Sequence, residues 1–291
     1  SYFICKCEFC KSINLNSLTL AIIIGMVIGN VFLRFIPRSW RYGITFSGKK
    51  LLRLAIILYG FRITFQQIFA VGGQGLIADI CMLITTYLIG YYLGTRVFKL
   101  DKDLSMLKAK SHKVSLAVST VVLFGTAAMF LYPVLFKCGI LPENVFGIYI
   151  GSTVHEVAQV VAAGSAISPS VTDTAVIVKL TRVMMLVPYL FMLGWYLAKK
   201  SKTERTKVPI PWFAILFVVM CGINSLKFIP AQVISGIVEF DVLLLTLAMF
   251  ALGVETNFEK IKGLGLKPIL LAFIMFIWLV GFGWYISHLF V

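Results

Sequence analysis

Nine apolar runs, each close to the length of a bilayer crossing, constrain this chain more than any other feature. An α-helix needs about 20 apolar residues to cross the hydrocarbon core, and it satisfies its own backbone hydrogen bonds there. The sequence therefore predicts an all-α polytopic membrane protein. The runs lie near residues 17–33, 49–69, 75–98, 114–136, 145–164, 173–198, 210–226, 232–257 and 266–290.

Composition and charge agree with this class. Of the 291 residues, 59% are hydrophobic and only 13% are charged, whereas a soluble domain of this length would expose far more charge. The net charge of +15 comes from lysines and arginines that lie mostly in short loops between the runs. That distribution orients membrane proteins and offers no face for docking on a duplex. We expect membrane lipid as the surroundings and no nucleic-acid partner.

The sequence contains an internal repeat. We expect the whole chain, 1–291, to form one integral membrane domain. At an offset of 193, residues 51–72 align without gaps to residues 244–265, with eight identities. The repeat-like halves extend over about 17–136 and 210–291, and the segment 143–198 lies between them. Inverted repeats of this kind build many secondary transporters, whose substrate site lies at the repeat interface. We therefore expect an inverted-repeat helical bundle with discontinuous crossing helices.

The distribution of basic residues suggests that one crossing is missing. With nine crossings, 11 counted lysines and arginines fall on each side of the membrane, which gives no preferred orientation. An additional crossing between Leu107 and Lys108 changes the count to 16 inside and 6 outside, and it makes the repeat copies antiparallel. Our hypothesis is that a helix is missing at this point, either from the molecule or only from the residues present.

The stretch GSTVHEVAQVVAAG, 151–164, carries the strongest candidate site. On a continuous helix, Ser152, His155, Glu156 and Gln159 would share one face. Gly151, followed by Ser152 and Thr153, also predicts a break, after which a new helix would aim unpaired N–H groups at the membrane centre. Such an end binds anions. The alternative is a packing helix whose polar side chains satisfy one another. We favour the site because a buried Glu without a role is costly.

Other charged residues lie within the runs. Lys179 and Arg182, one turn apart, could bind an anion or pair with Glu156. Arg62 and Glu255 occupy matched positions in the repeat and are a candidate ion pair. The candidate proton or cation carriers are Asp79, Asp173 and Asp241.

Enzyme functions find little support. HEVAQ resembles the zinc motif H-E-x-x-H, but Gln159 stands where the second histidine is needed. The chain also lacks a phosphate-binding G-x-x-x-x-G-K-[ST] run. We therefore expect no catalytic residues, no metal and no cofactor.

Several stretches resemble the YeiH-type family of proposed sulfate exporters, which are bacterial inner-membrane proteins. They are LLRLAIILYGFRITFQQI, FGIYIGSTVHEVAQVVAAG, VKLTRVMMLVPYL and IPWFAILF. The resemblance extends from about residue 17 to the C-terminus. It implies the architecture of cation/proton antiporters and bile-acid symporters, with Ser152, Thr153, His155, Glu156 and Gln159 at the central site. This sequence departs from the family in two places: a glycine-rich helix is absent near Leu107, and SYFICKCEFCKSINLN stands as a remnant or replacement of a further N-terminal helix.

These observations together predict a secondary transporter that exports or exchanges a small anion by alternating access. The substrate expected is sulfate, sulfite or an organic acid, bound by the five residues above with Lys179 and Arg182, and coupling to protons or sodium is open. The alternatives are a cation/proton antiporter and a non-transporting membrane scaffold or sensor. Homo-oligomer formation is also left open.

Overall fold

The computed structural model describes residues 17–32, 37–98, 111–200, 211–256 and 266–291, and all regular structure in these ranges is helical. Four helical segments are long and apolar enough to cross a membrane: Phe65–Val97, Thr120–Lys137, Ala231–Glu255 and Leu266–His288. This confirms the predicted all-helical class for the described residues.

Eleven α-helices, numbered here in chain order, make up the described structure. They are α1 (Ser17–Val31), α2 (Arg38–Phe46), α3 (Leu52–Tyr59), α4 (Phe65–Tyr92), α5 (Ser111–Lys137), α6 (Glu143–Thr153), α7 (Val157–Ser165), α8 (Pro169–Lys200), α9 (Trp212–Ser225), α10 (Ala231–Glu255) and α11 (Leu266–His288). A π-helical turn, Ser47–Leu51, joins α2 to α3, a 3-10 turn, Gly60–Arg62, ends α3, and a second π-helical turn, Leu93–Val97, extends α4.

Local sequence signals explain several helix ends. Thr64 forms a capping box with Gln67, whose side-chain oxygen accepts a hydrogen bond from the Thr64 N–H at 2.9 Å, so α4 begins at the next residue. Gly139 has φ 71°, the left-handed conformation that ends α5. Pro142 and Pro230 precede the first residues of α6 and α10. Gly139 and Pro142 together define the short connection from α5 to α6.

The helices form two bundles. In bundle one, α10 packs against α1, α2 and α3, and α9 packs against α3. In bundle two, α8 packs against α4, α6 and α7, while α5 contacts α7 and α11 contacts α4, α5 and α6. The contacts between the bundles are fewer and join α1 to α7, α4 to α9 and α8 to α9. The segment 143–198 thus lies wholly in bundle two.

Glycines allow the closest helix pairs to approach. In bundle one, a Cβ atom at Gly25 would collide with the backbone carbonyl of Phe250, and one at Gly29 with the backbone of Val254. In bundle two, a Cβ at Gly147 would meet Thr174 at 2.5 Å. Small residues are how membrane helices reach such backbone contact.

Two sequence-based predictions are changed by the helix bounds. The run 145–164 is not one crossing but two short helices, α6 and α7, and the run 49–69 is interrupted after Arg62. The first repeat copy ends its helical segment at Arg62 and the second ends at Glu255, which are matched positions. The inverted relation of the copies stays a prediction. The proposed missing crossing at Leu107 and Lys108 lies outside the described residues.

Candidate functional site

The candidate site is built around a helix break inside bundle two. Helix α6 ends at Thr153, and Val154 is extended, with φ −75° and ψ 138°. Glu156 is also extended, with φ −112° and ψ 136°, and α7 begins at Val157. The chain therefore stops being helical for three residues and then resumes.

The break lies later in the chain than the sequence indicated. Gly151, Ser152 and Thr153 remain in α6, because Gly151 packs directly on α8 and both hydroxyl groups donate to the carbonyl of Tyr149. The prediction that Ser152, His155, Glu156 and Gln159 share one helix face is therefore wrong, since the break separates the first of them from the others.

Two cations of α8 bind the carbonyl groups at the end of α6. Lys179 Nζ donates to the Val154 carbonyl at 2.6 Å, and Arg182 Nη1 donates to the Ser152 carbonyl at 2.8 Å. The last carbonyls of a helix have no partner within it and carry partial negative charge, so cations are stabilised there. Neither side chain makes a direct ion pair with Glu156 within the described residues, which corrects one of the two predicted roles.

The buried carboxylate of Asp79 interacts electrostatically with these two cations. Asp79 of α4 is fully buried, and both its oxygens lack a hydrogen-bond partner within the described ranges. Arg182 and Lys179 are the charged groups that act on it. A hydrogen bond to a charged group contributes about 1.5–3 kcal/mol, whereas burying an ion costs several kcal/mol. The carbonyl bonds therefore do not offset the burial of two cations, and Asp79 supplies counter-charge.

Two tyrosines, which the sequence analysis did not identify, support the end of α6. The Tyr132 hydroxyl of α5 donates to Thr153 Oγ1 at 2.7 Å, and the Tyr149 hydroxyl donates to the Val280 carbonyl of α11 at 2.8 Å. Their rings meet edge to face, with centroids 4.8 Å apart. Tyrosines are common in apolar runs, so no sequence signal separates these two from the others.

The remaining predicted residues face different neighbours. His155 and Glu156 are half-buried at the break, and Glu255 of bundle one acts electrostatically on Glu156 together with Lys179. Gln159, buried in α7, donates weakly to the Val122 carbonyl of α5 at 3.3 Å, and its own side-chain oxygen has no partner within the described residues. The structure thus places Lys179 and Arg182 on the backbone carbonyls at the break, beside His155 and Glu156, whereas the side chains of Thr153 and Gln159 bond to α5.

A cavity of about 310 Å³ lies beside α7, between the two bundles. It reaches Val161 and Ser165 of α7 but not the segment 151–159. On the opposite wall Arg62 pairs with Asp241 at 2.9 Å, so the predicted pair of Arg62 with Glu255 is wrong. Asp241 and Glu255 both belong to α10, but Arg62 reaches the part of α10 that carries Val238 and Asp241.

Metal binding finds no support in the described ranges, which contain no group of three His, Cys, Asp or Glu side chains able to hold an ion. The polar groups at the break are N–H donors, cations and scattered carboxylates. Such an arrangement can bind a charged solute or an exchangeable proton.

Comparison with known proteins places the chain in a family. The family model described as Conserved hypothetical protein 698 matches residues 1–110 and 105–272. The chain is 45% identical to a UPF0324 membrane protein of Pasteurella multocida, over 97% of the chain and 91% of that relative. It is 46% identical to the inner membrane protein YeiH of Escherichia coli K12, over 94% of the chain and 85% of that relative. No solved structure matches the chain.

The two matched segments meet at 105–110, the region where a crossing was predicted to be missing. The alignment to the Pasteurella protein runs over 305 positions while using 97% of a 291-residue chain, so that relative carries residues that this chain lacks. The predicted resemblance to the YeiH-type family is confirmed. Its apolar spans and its relatives make the chain a multi-pass inner-membrane protein, and it belongs to the UPF0324 family.

Proposed function

We propose that this protein is a secondary transporter that moves a small anion across the inner membrane by alternating access. The observation that carries the proposal is the helix break at Val154–Glu156, with Lys179 and Arg182 of α8 bound beside it. Broken helices at membrane depth are tolerated where they line a site, and transporters use their ends to bind ions and substrates.

The unused donors at the break favour an anion. Lys179 and Arg182 each make a single hydrogen bond within the described residues, although an ammonium has three donors and a guanidinium five. The first N–H groups of α7 have no partner in their own helix, and no side chain caps them. A sulfur oxyanion or a small organic acid matches these donors, and the first is the substrate class that the family resemblance implies.

The test measures flux through Lys179 variants. In proteoliposomes, we expect Lys179→Met to lower sulfate or sulfite flux about tenfold to a hundredfold, because a charge-assisted hydrogen bond is lost. Lys179→Arg, which keeps the charge, should retain more flux. Lys137→Met removes an exposed lysine at the end of α5 and is the matched control. Equal flux in the Met variant and the control would contradict the proposal.

A second candidate, a cation/proton antiporter, is favoured by Asp79. Its two unpartnered oxygens, buried within bundle two, could carry a proton or bind sodium. Sodium that raises the apparent unfolding temperature, with no response to sulfate or sulfite, would favour this candidate. A protein that responds to neither ion and shows no flux would instead be a membrane scaffold or sensor.

A further inference from the structure

The cavity between the bundles carries two opposite charges on its two walls. Bundle one contributes Tyr59 and Arg62, and bundle two contributes Thr172 and Asp173. The Tyr59 hydroxyl donates to Asp173 Oδ1 at 2.8 Å and so links the walls. At about 310 Å³, the cavity is at the lower end of the range for small-molecule sites.

Arg62 has donors to spare on its side of the cavity. Within the described ranges its hydrogen bonds all come from Nη2, to Asp241 at 2.9 Å and to the Val238 carbonyl at 3.2 Å. The Nη1 atom has no hydrogen-bond partner among the described residues and is not buried, whereas Nε is buried without a partner; the side chain as a whole is 23% exposed. The guanidinium lies over the Tyr59 ring, 4.7 Å from its centroid, which holds it at the cavity wall.

Asp173 presents a free acceptor on the other side. Its Oδ1 atom accepts from Tyr59, while Oδ2 makes no hydrogen bond within the described part of the chain and is not buried. The Tyr59 ring contacts Arg62 with its face, and its hydroxyl group bonds to Asp173. The side chain of Tyr59 therefore lies between the cation and the carboxylate, which are not paired with each other.

The charge of the cavity selects against a bare dianion. Asp241 already neutralises Arg62, so Asp173 leaves the wall groups with a net negative charge. A simple anion would meet the Arg62 donors but would be repelled by Asp173. A solute with an acidic group at one end and an ammonium group at the other satisfies both walls.

We propose that this cavity binds a small zwitterion of the amino-acid class, its acidic group on Arg62 and its ammonium group on Asp173. The proposal concerns a second site, separate from the cations beside the helix break, and it rests on the transport function proposed above for translocation only, since binding is measured separately. A ligand in this position contacts both bundles and would stabilise their closed arrangement.

The experiment measures the apparent unfolding temperature of the purified full chain in detergent with four matched probes. β-Alanine carries both groups, propionate lacks the amine, propylamine lacks the acid, and sulfate is a simple dianion. We expect β-alanine to raise the unfolding temperature at concentrations at which propionate and propylamine do not, because only bound ligand stabilises the folded state. Equal shifts with propionate and β-alanine would overturn the proposal.

Variants locate the binding. Asp173→Asn keeps an acceptor for Tyr59 but removes the charge, and we expect it to raise the half-saturating β-alanine concentration about tenfold or more. The paired change Arg62→Gln with Asp241→Asn avoids an unpaired buried charge and should do the same. Glu239→Gln changes an exposed carboxylate of α10 and should leave binding intact. A β-alanine shift that survives both cavity variants would overturn the proposal.

The outcome of the β-alanine binding test can be distinguished from the outcome of the flux test for transport. A sulfate shift that depends on Lys179, with no β-alanine shift, would overturn the zwitterion site and leave anion transport standing. A β-alanine shift without flux of any solute would support the cavity as a site and contradict the proposed transporter.

Discussion

Glu156 is the residue at which the helix break faces the other bundle. It precedes the first residue of α7, its backbone carbonyl accepts from the Val160 N–H at 3.0 Å, and its side chain is half-buried. Lys179 attracts the carboxylate and Glu255 repels it, so its charge state changes the balance at the contact between the bundles. A proton taken up here would couple to the position of the bundles.

Replacing Glu156 with Gln tests this coupling. The amide keeps the size of the side chain but cannot lose a proton, so we expect the pH dependence of flux in proteoliposomes to disappear while flux itself persists. Glu239→Gln removes an exposed carboxylate and is the control that should keep the wild-type profile. An unchanged pH profile in the Glu156 variant would remove this residue from the coupling mechanism.

The sequence predicted which residues belong to the site better than it predicted the groups to which they bind. Lys179, Arg182 and Asp79 were recognisable because charge within an apolar run is rare. Their partners were not, because Lys179 and Arg182 bind backbone carbonyls, which every residue carries. For the same reason the pair of Arg62 with Glu255 was wrong, since repeat symmetry gives matched positions and not contacts.

At the scale of the helix, the sequence predicted a break but placed it too early. Gly151 indicates flexibility, yet it is retained in α6 because α8 packs against it too closely for a side chain. The extended residues are instead Val154 and Glu156, neither of which has a local signature of a break. Tertiary contacts, which a single sequence does not reveal, decide where α6 ends.

Glycine contacts between α1 and α10 give a prediction about stability. A Cβ at Gly253 would lie 2.9 Å from the Met26 backbone nitrogen, so Gly253→Ala should force the helices apart and lower the free energy of unfolding by about 1–3 kcal/mol. Gly236 is on the same helix with open space around it. Gly236→Ala should be neutral or stabilising by up to about 1 kcal/mol, since alanine favours helix. Denaturant unfolding in detergent compares the two, and equal effects would contradict the close packing.

For the whole molecule, the division into two bundles matters more than any single contact. The helix break and its cations belong to bundle two, whereas Arg62, Asp241 and Glu255 belong to bundle one. The cavity lies between them, and the bond from Tyr59 to Asp173 links its two walls. Alternating access in this arrangement would be a movement of one bundle against the other, and the sparse contacts between them favour such a movement.

Cross-linking the bundles tests that movement. In a background with the six native cysteines replaced, Leu18→Cys and Ser165→Cys place thiols on opposite walls of the cavity, on α1 and α7. A short bifunctional thiol reagent should stop flux, because a bridge between the bundles prevents their relative displacement. Leu18→Cys with Val242→Cys also lines the cavity but joins α1 to α10 within bundle one, so its bridge should spare flux. Flux that survives a complete bridge between α1 and α7 would show that the bundles do not need to move, and transport would then require a path within bundle two.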